Sequence, residues 1–164
     1  MIILGVDPGS IRTGWGVIER RGPKLIGLAA GVIRAGEGRE LHLRLQTIFE
    51  GLQAVIAEHE PTAMAVEDVF HAKHARSALI LGQARGVCLL AGATANLPIA
   101  AYPPALVKRS VAGRGQAPKE QIARIVGAIL QLSTLPAIDA CDALAIAITH
   151  ANASRGVQAA QKRK

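Results

Sequence analysis

The chain has 164 residues, a length that fits one domain with a sizeable apolar core. Half of its residues are hydrophobic and only 2% are aromatic, which is typical of a close-packed α/β protein and excludes a disordered chain. The formal net charge of +7 favours a polyanionic partner such as nucleic acid or an acidic membrane, although surplus surface lysines and arginines can also serve solubility alone.

The cysteines and the apolar segments bear on the compartment. Cys88 and Cys141 lie far apart and form no CxxC pair, so they fit neither a disulfide framework nor a zinc knuckle. Residues 1–9 have the pattern of a strand rather than of a signal peptide. The longest apolar stretch, 77–95, contains Arg85, which disfavours a membrane span. We therefore expect a cytoplasmic protein.

The first half of the chain predicts three strands and a helix. An apolar run at 2–6 ends in an Asp-Pro-Gly turn and reads as a buried strand. The runs 13–19 and 25–33, joined by Arg-Arg-Gly-Pro, continue it as an antiparallel meander. Between 40 and 58 the apolar residues recur at helical spacing, which predicts an amphipathic helix laid on the sheet.

The second half predicts strands that alternate with helices. The pattern gives short strands at 63–66 and 98–102, helices at 76–94, 118–132 and 139–151, and a basic segment at 103–119. A meander followed by such alternation predicts one five-stranded mixed sheet with helices packed on it. Strands that are apolar on both faces must be covered on both faces, so 2–6 and 63–66 are expected to be central.

Each of these two central strands ends in an acid, Asp7 or Glu67. Ligand sites in open α/β sheets form at the carboxyl ends of the strands, and parallel neighbours about 5 Å apart would bring both acids to one crevice. A metal cation is a good partner for such acids. Alternatively, Asp7 could only shape its turn, and Glu67 could pair with an arginine.

Two further acids, Asp139 and Asp142, begin a helix whose following residues are almost all apolar. Their i, i+3 spacing places both carboxylates on one helix face. Asp139 could instead be only an N-cap, but that alternative does not cover Asp142. Four converging carboxylates repel one another unless cations neutralise them, and hard oxygen ligands suit Mg²⁺ or Mn²⁺. Two such ions about 4 Å apart catalyse phosphodiester hydrolysis in other proteins.

Several stretches of the chain resemble the bacterial RuvC Holliday junction resolvases, in order from residue 2 to about 150. They are residues 5–10 with 13–17, 67–70 with 72–73, 81–86, 107–108 with Gly113 and Lys119, and 139–147. The resemblance implies an RNase H-like nuclease domain over 1–152, whereas the basic residues of 153–164 predict a disordered tail. It also implies a homodimer that nicks four-way DNA junctions symmetrically, with two Mg²⁺ ions per subunit for which Mn²⁺ can substitute, beside the RuvA–RuvB branch-migration complex.

By position, the resemblance makes Asp7, Glu67, Asp139 and Asp142 the catalytic and metal-binding acids of an endodeoxyribonuclease. It matches Phe70 to an aromatic that contacts bases at the junction opening, although a buried Phe is the alternative. The expected DNA-contacting residues are Phe70, Lys73, Arg76, Lys108, Arg109, Arg114 and Lys119, any one of which could be only a solvated side chain. Asp68 departs from the family, in which an amide is common after the catalytic Glu.

Other features have weaker interpretations. His71 and His74 have a spacing that metals sometimes use, but the carboxylate site makes zinc the poorer choice. His150 lies about 16 Å along the helix from Asp139, too far to share its metal through that helix. In the helix after Arg76, small residues recur at 78, 82 and 86. Packing on the domain's own sheet is the default for this stripe, whereas the resemblance favours pairing across a two-fold axis.

Two other functions are compatible with parts of the pattern. An Asp-x-Gly before a β-hairpin also occurs in actin-like ATPases and sugar kinases, but those proteins enclose a nucleotide between two such domains. A non-catalytic junction- or RNA-binding module could keep the fold, yet unneutralised acids would hinder nucleic-acid binding. We therefore predict two-metal-ion hydrolysis that leaves 5′-phosphate and 3′-hydroxyl ends.

Overall fold

The computed structural model describes residues 1–68, 74–113 and 115–161. The elements in these ranges are β1 (Ile2–Asp7), β2 (Arg12–Arg21), β3 (Lys24–Arg34), α1 (Leu41–His59), β4 (Ala63–Glu67), α2 (Ala75–Thr94), β5 (Ile99–Tyr102), α3 (Pro104–Ala112), α4 (Lys119–Leu130) and α5 (Ile138–Gln161).

The five strands form one mixed sheet in the order β3-β2-β1-β4-β5. β1, β2 and β3 pair antiparallel, whereas β1 with β4 and β4 with β5 pair parallel. This confirms the predicted meander, the predicted five-stranded sheet and the interior position of β1 and β4. Both strands have a neighbour on each side and are buried on both faces.

Helices cover both faces of the sheet, because consecutive side chains of a strand point to opposite faces. On one face, Ile3 of β1 packs in a core with residues of α3, α4 and α5. On the other face, Leu4 packs in a second core with residues of α1 and α2. The carboxyl ends of β1 and β4 emerge between these two layers.

Two glycines bring α5 into direct contact with the backbone of the sheet. A Cβ atom on Gly5 would lie 2.0 Å from the carbonyl oxygen of Ala143, and one on Gly14 would lie 2.0 Å from that of Asp139. Any side chain at either glycine would therefore push the helix away. This close approach seats the first turn of α5 at the end of β1.

Two helices differ from the prediction. α3 lies in the segment 103–119, which was expected to be only a basic segment, and two prolines stand at its start. Pro at the first helical position nevertheless favours a helix start. α5 was expected to end at Ala151 but continues to Gln161, since no proline follows to stop it. The division of the chain at residue 152 stays a prediction.

α2 presents its small-residue stripe to solvent. Ala78, Gly82 and Gly86 are exposed, and a Cβ on either glycine would meet nothing within 4 Å. The default interpretation, packing on the domain's own sheet, is therefore wrong, because α2 buries a different face against α1 and β4. Among the described residues, α2 is the one helix whose length and composition would suffice to cross a membrane; here its buried side belongs to the core of the domain.

Candidate metal centre

The structure brings the four predicted acids together at the carboxyl edge of the sheet. Val6 pairs with Val66, so Asp7 and Glu67 lie side by side where β1 and β4 end. Ligand oxygens of Asp7, Asp139 and Asp142 all lie within 4.8 Å of one another. Glu67 lines a cavity of about 180 Å³ together with Asp7 and Asp142. Three of the acids thus form a compact oxygen cluster, and the fourth borders it.

The electrostatics of this cluster fit a cation site. Burial, followed by the charges of Glu67 and Asp142, raises the pKa of Asp7 to about 8. Burial and the charge of Asp142 also raise the pKa of Glu67. Acids in such surroundings resist ionisation together unless positive charge compensates them. Carboxylate oxygens crowded at half-buried positions are the donor set that Mg²⁺ and Mn²⁺ prefer.

Two of the predicted DNA-contacting lysines lie beside the acids. Lys119, the first residue of α4, places its Nζ 2.5 Å from Oδ2 of Asp142. Burial opposes the charged form, but the hydrogen bond and the charge of Asp142 prevail and raise the pKa of Lys119. Lys108 of α3 lines the same cavity. A phosphate at the acid cluster would therefore be within reach of positive charge.

The remaining predicted DNA contacts are placed differently. Arg76, in the first turn of α2, and Arg109 of α3 are exposed, and neither lines the acid cavity. Phe70, Lys73 and Arg114 lie outside the described residues.

Arg85 is a residue of this region that the sequence reading missed. Its Nη2 atom lies 3.0 Å from Oδ1 of Asp68, and its Nε donates a hydrogen bond of 3.1 Å to the carbonyl oxygen of Glu67. The backbone N–H of Asp68 donates to the carbonyl oxygen of Tyr102 on β5. The unusual acid at position 68 thus has an arginine partner, and the arginine contacts the backbone of Glu67 rather than its carboxylate. The signal available in the sequence was the additional negative charge of Asp68 near the site, which a cation such as Arg85 could compensate.

The histidines discussed in the sequence analysis are not part of the acid cluster in the described residues. His74 is exposed and immediately precedes α2, and His71 lies outside the described residues. His150 hydrogen-bonds through Nδ1 to the hydroxyl of Tyr102 at 2.9 Å, and burial, followed by the charge of Arg20, lowers its pKa. Within the described part of the chain, the group of side chains spaced to hold a metal contains only carboxylates.

A sheet of this topology, with carboxylates at the ends of β1 and β4 and at the start of α5, is the arrangement of an RNase H-like nuclease. The family model described as crossover junction endodeoxyribonuclease RuvC matches residues 3–150. The chain belongs to this RuvC family of endodeoxyribonucleases. Membership excludes the actin-like ATPase alternative.

Relatives and solved structures agree with this assignment. The chain is 49% identical to the RuvC protein of Geobacter metallireducens, with 94% of both chains covered. It is 50% identical to that of Sorangium cellulosum, covering 94% of this chain and 86% of the relative. Thermus thermophilus RuvC, solved with a Holliday junction substrate, is 36% identical with a TM-score of 0.88, over 94% and 95% of the two chains. The yeast mitochondrial resolvase Ydc2, 12% identical with a TM-score of 0.61 over 90% and 77%, shares the fold.

Proposed function

We propose that this protein resolves four-way (Holliday) DNA junctions in recombination and repair by nicking two symmetric strands. The observation that carries the proposal is the cluster of Asp7, Asp139 and Asp142 beside Glu67, with lysines on its rim. Family membership and the junction complex of the Thermus thermophilus relative support DNA junctions as the substrate. Hydrolysis would leave 5′-phosphate and 3′-hydroxyl ends.

The four acids are proposed to hold two Mg²⁺ ions per subunit, with Mn²⁺ able to substitute. When bound, such a pair supplies an activated water and stabilisation of the leaving oxygen. Asp7 and Glu67 are fixed by the sheet, whereas Asp139 and Asp142 are carried by α5. Because all four carboxylates are on rigid elements, they would hold the scissile phosphate and the attacking water in a constant relative position.

The lysines and the other predicted contacts would hold DNA. Lys108 and Lys119 border the acid cavity and would neutralise phosphates that approach it. Arg76, Arg109, Arg114 and Lys73 are proposed as contacts to the DNA backbone. Phe70 is proposed to stack on unpaired bases where the junction opens.

A homodimer would supply two equivalent active sites for the two strands. α2 exposes Ala78, Gly82 and Gly86, and beside them Leu79 and Leu90 are 70% and 56% exposed. Small residues permit close approach of a second helix, and the leucines supply apolar area to bury. We propose that α2 pairs with its copy across a two-fold axis. The RuvA–RuvB complex is the proposed partner and the cytoplasm the proposed compartment, both from family membership.

The test compares the protein with its Asp7→Asn variant on labelled four-way junctions and on linear duplex of the same sequence, with Mg²⁺. Paired nicks in the junction only, lost in the variant while junction binding survives, are expected. Junction binding without cleavage in either Mg²⁺ or Mn²⁺ would instead identify a non-catalytic binding module. Size-exclusion chromatography with light scattering, on the protein and on a Leu79→Lys variant, tests the dimer.

A further inference from the structure

We infer that Arg12 and Arg34 bind the phosphate backbone of the nicked strand, on the side of the acid cluster away from Lys108 and Lys119. This inference rests on the proposed junction-nicking function. It adds a second anion-binding surface to the one formed by Lys108 and Lys119. The sequence reading did not place either arginine in the DNA-contacting set.

Arg12 and Arg34 stand directly opposite each other at the end of the β2–β3 ladder. Directly opposed like charges destabilise an antiparallel pair. Both residues are exposed, and neither side chain makes a hydrogen bond or an ion pair with any residue in the described ranges. Two unpaired guanidinium groups about 5 Å apart at the backbone level form a ready site for an anion.

The pair is on the same face of the sheet as the acids. A Cβ on Gly14 would point at the carbonyl oxygen of Asp139, so position 14 faces α5. Side chains two residues apart on a strand share a face, which puts Arg12 on the α5 side as well. Gly14 pairs with Asp7, and Arg12 is two residues before Gly14, at the start of β2. The Cα atoms of Arg12 and Asp7 are therefore roughly 8 Å apart.

The arginines and the lysines flank the acids from opposite sides. Lys108 and Lys119 share their cavity with Glu67, on the β4 side of β1. Arg12 and Arg34 lie on β2 and β3, on the other side of β1. A DNA strand that placed one phosphate on the acids would run between these two groups of positive charge. The nucleotides on both sides of the scissile phosphate could then be held at once.

The turn that leads to Arg12 is held in place by Arg44 of α1. Its Nη1 donates hydrogen bonds of 3.3 Å to both the carbonyl oxygen and the hydroxyl of Ser10. Ser10 lies between Asp7 and Arg12, and the backbone N–H of Ala35, next to Arg34, bonds to the carbonyl of Ile11. The arginine pair and Asp7 are thus connected through an ordered turn, which fixes their separation before DNA binds.

The same two strands offer a matched control at their other end. Arg21 and Lys24 are also opposed and exposed, and they lie at the hairpin end of the β2–β3 ladder, away from the acid edge. The double variants Arg12→Gln/Arg34→Gln and Arg21→Gln/Lys24→Gln each remove two charges from the same pair of strands. Both double variants lower the net charge by the same amount. A difference in DNA affinity between them therefore reports a local contact rather than a general electrostatic effect.

The measurement is the affinity for a four-way junction as a function of salt concentration, in Ca²⁺. For Arg12→Gln/Arg34→Gln we expect the slope of log K against log salt to fall in magnitude by about 2, and affinity at 0.1 M salt to fall on the order of tenfold or more. The control variant should keep the slope of the unmodified protein. Equal slopes for the two double variants would overturn the inference.

Two further arms keep the result unambiguous. Arg12→Lys/Arg34→Lys retains both charges and should recover most of the slope, while the single variants should each lose about 1. Thermal melting identifies any variant that fails to fold, in which case the single variants decide. Failure of the unmodified protein to bind or nick junctions would reject the proposed function itself; normal nicking with an unchanged slope in the arginine variants rejects only the arginine contact.

Discussion

Lys119 donates a hydrogen bond to Asp142 over 2.5 Å, so one acid of the cluster is already paired with a cation of the protein. A metal ion that takes Asp142 as a ligand must compete with this ammonium group. In Lys119→Met, Mn²⁺ affinity should therefore rise by several-fold, while nicking falls because a phosphate contact is lost. Calorimetric Mn²⁺ titration and junction nicking measure the two effects. Lys108→Met, which breaks no ion pair with an acid, should leave Mn²⁺ affinity nearly unchanged; the same rise in both variants would contradict this account.

Asp7 interacts electrostatically with each of the other three predicted acids. Asp7→Asn should lower the nicking rate by more than about a hundredfold. Changing a residue that only supports a metal ligand typically costs about tenfold to a hundredfold, and loss of a ligand should cost more. Junction binding should survive, since the substitution adds no negative charge and touches no basic residue. Single-turnover nicking and a gel-shift assay give the two values. A variant that nicks at the normal rate would remove Asp7 from the site.

The raised pKa of Asp7 predicts how stability depends on pH. The folded-state pKa of about 8 exceeds the ordinary value of 3.8, so the neutral acid is favoured by folding. This contribution is fully present below about pH 4 and is lost as pH rises through 8, with a slope of up to about 1.4 kcal/mol per pH unit. Denaturant unfolding in EDTA should show the decline, and Asp7→Asn should flatten it. Added Mg²⁺ should restore stability at pH 8; a flat profile in EDTA would count against the buried acid cluster.

The Arg85–Asp68 ion pair should act on nicking through Glu67. Arg85→Gln leaves the Asp68 charge uncompensated and frees the carbonyl of Glu67, so nicking should fall about tenfold to a hundredfold and need more Mg²⁺ for half-maximal rate. Asp68→Asn should be milder, and the double variant should recover part of the loss. A Mg²⁺ titration of the nicking rate on all four proteins forms the cycle. If the effects of the two single substitutions on the nicking rate simply add in the double variant, Arg85 and Asp68 are not coupled.

The direct contact of α5 with the backbone of the sheet predicts that one added methyl group lowers the free energy of unfolding strongly. Gly14→Ala would place a methyl group 2.0 Å from the carbonyl oxygen of Asp139, and neither backbone can yield cheaply. We expect a loss of about 1–3 kcal/mol in the free energy of unfolding, measured with denaturant. Gly115→Ala, where the nearest neighbour is 3.5 Å away, should change it by less than about 0.5 kcal/mol. Similar losses in both would remove the special role of Gly14.

Local pattern was sufficient for the sheet and for the acids. The apolar strands that end in Asp7 and Glu67 were expected to be central, and parallel pairing, on which their convergence depended, is what the structure shows. The i, i+3 spacing of Asp139 and Asp142 likewise settled which helix face they share. These features depend on periodicities that a sequence carries directly.

Tertiary context decided the features that the pattern missed. Arg85 is separated from Asp68 by the segment that leads into α2, and nothing in the spacing shows that the helix returns to the end of β4. Arg12 and Arg34 become neighbours only through the register of β2 and β3. The small residues of α2 were ambiguous, since glycine permits both a close contact and open space.

The contact of α5 with bare backbone at Gly5 and Gly14 has a consequence for how such a nuclease can change. The gap between the strand acids and the helix acids is set by contacts between main-chain atoms. Its width therefore does not depend on the identity of a side chain that could be substituted. A single added methyl group would widen it on the order of 1 Å, and misplacement of that size can cost a hundredfold in rate. Loss of activity should therefore exceed what the loss of stability alone would cause. An enzyme diverging toward other substrates would keep β1 and α5 as one inherited unit while its loops vary.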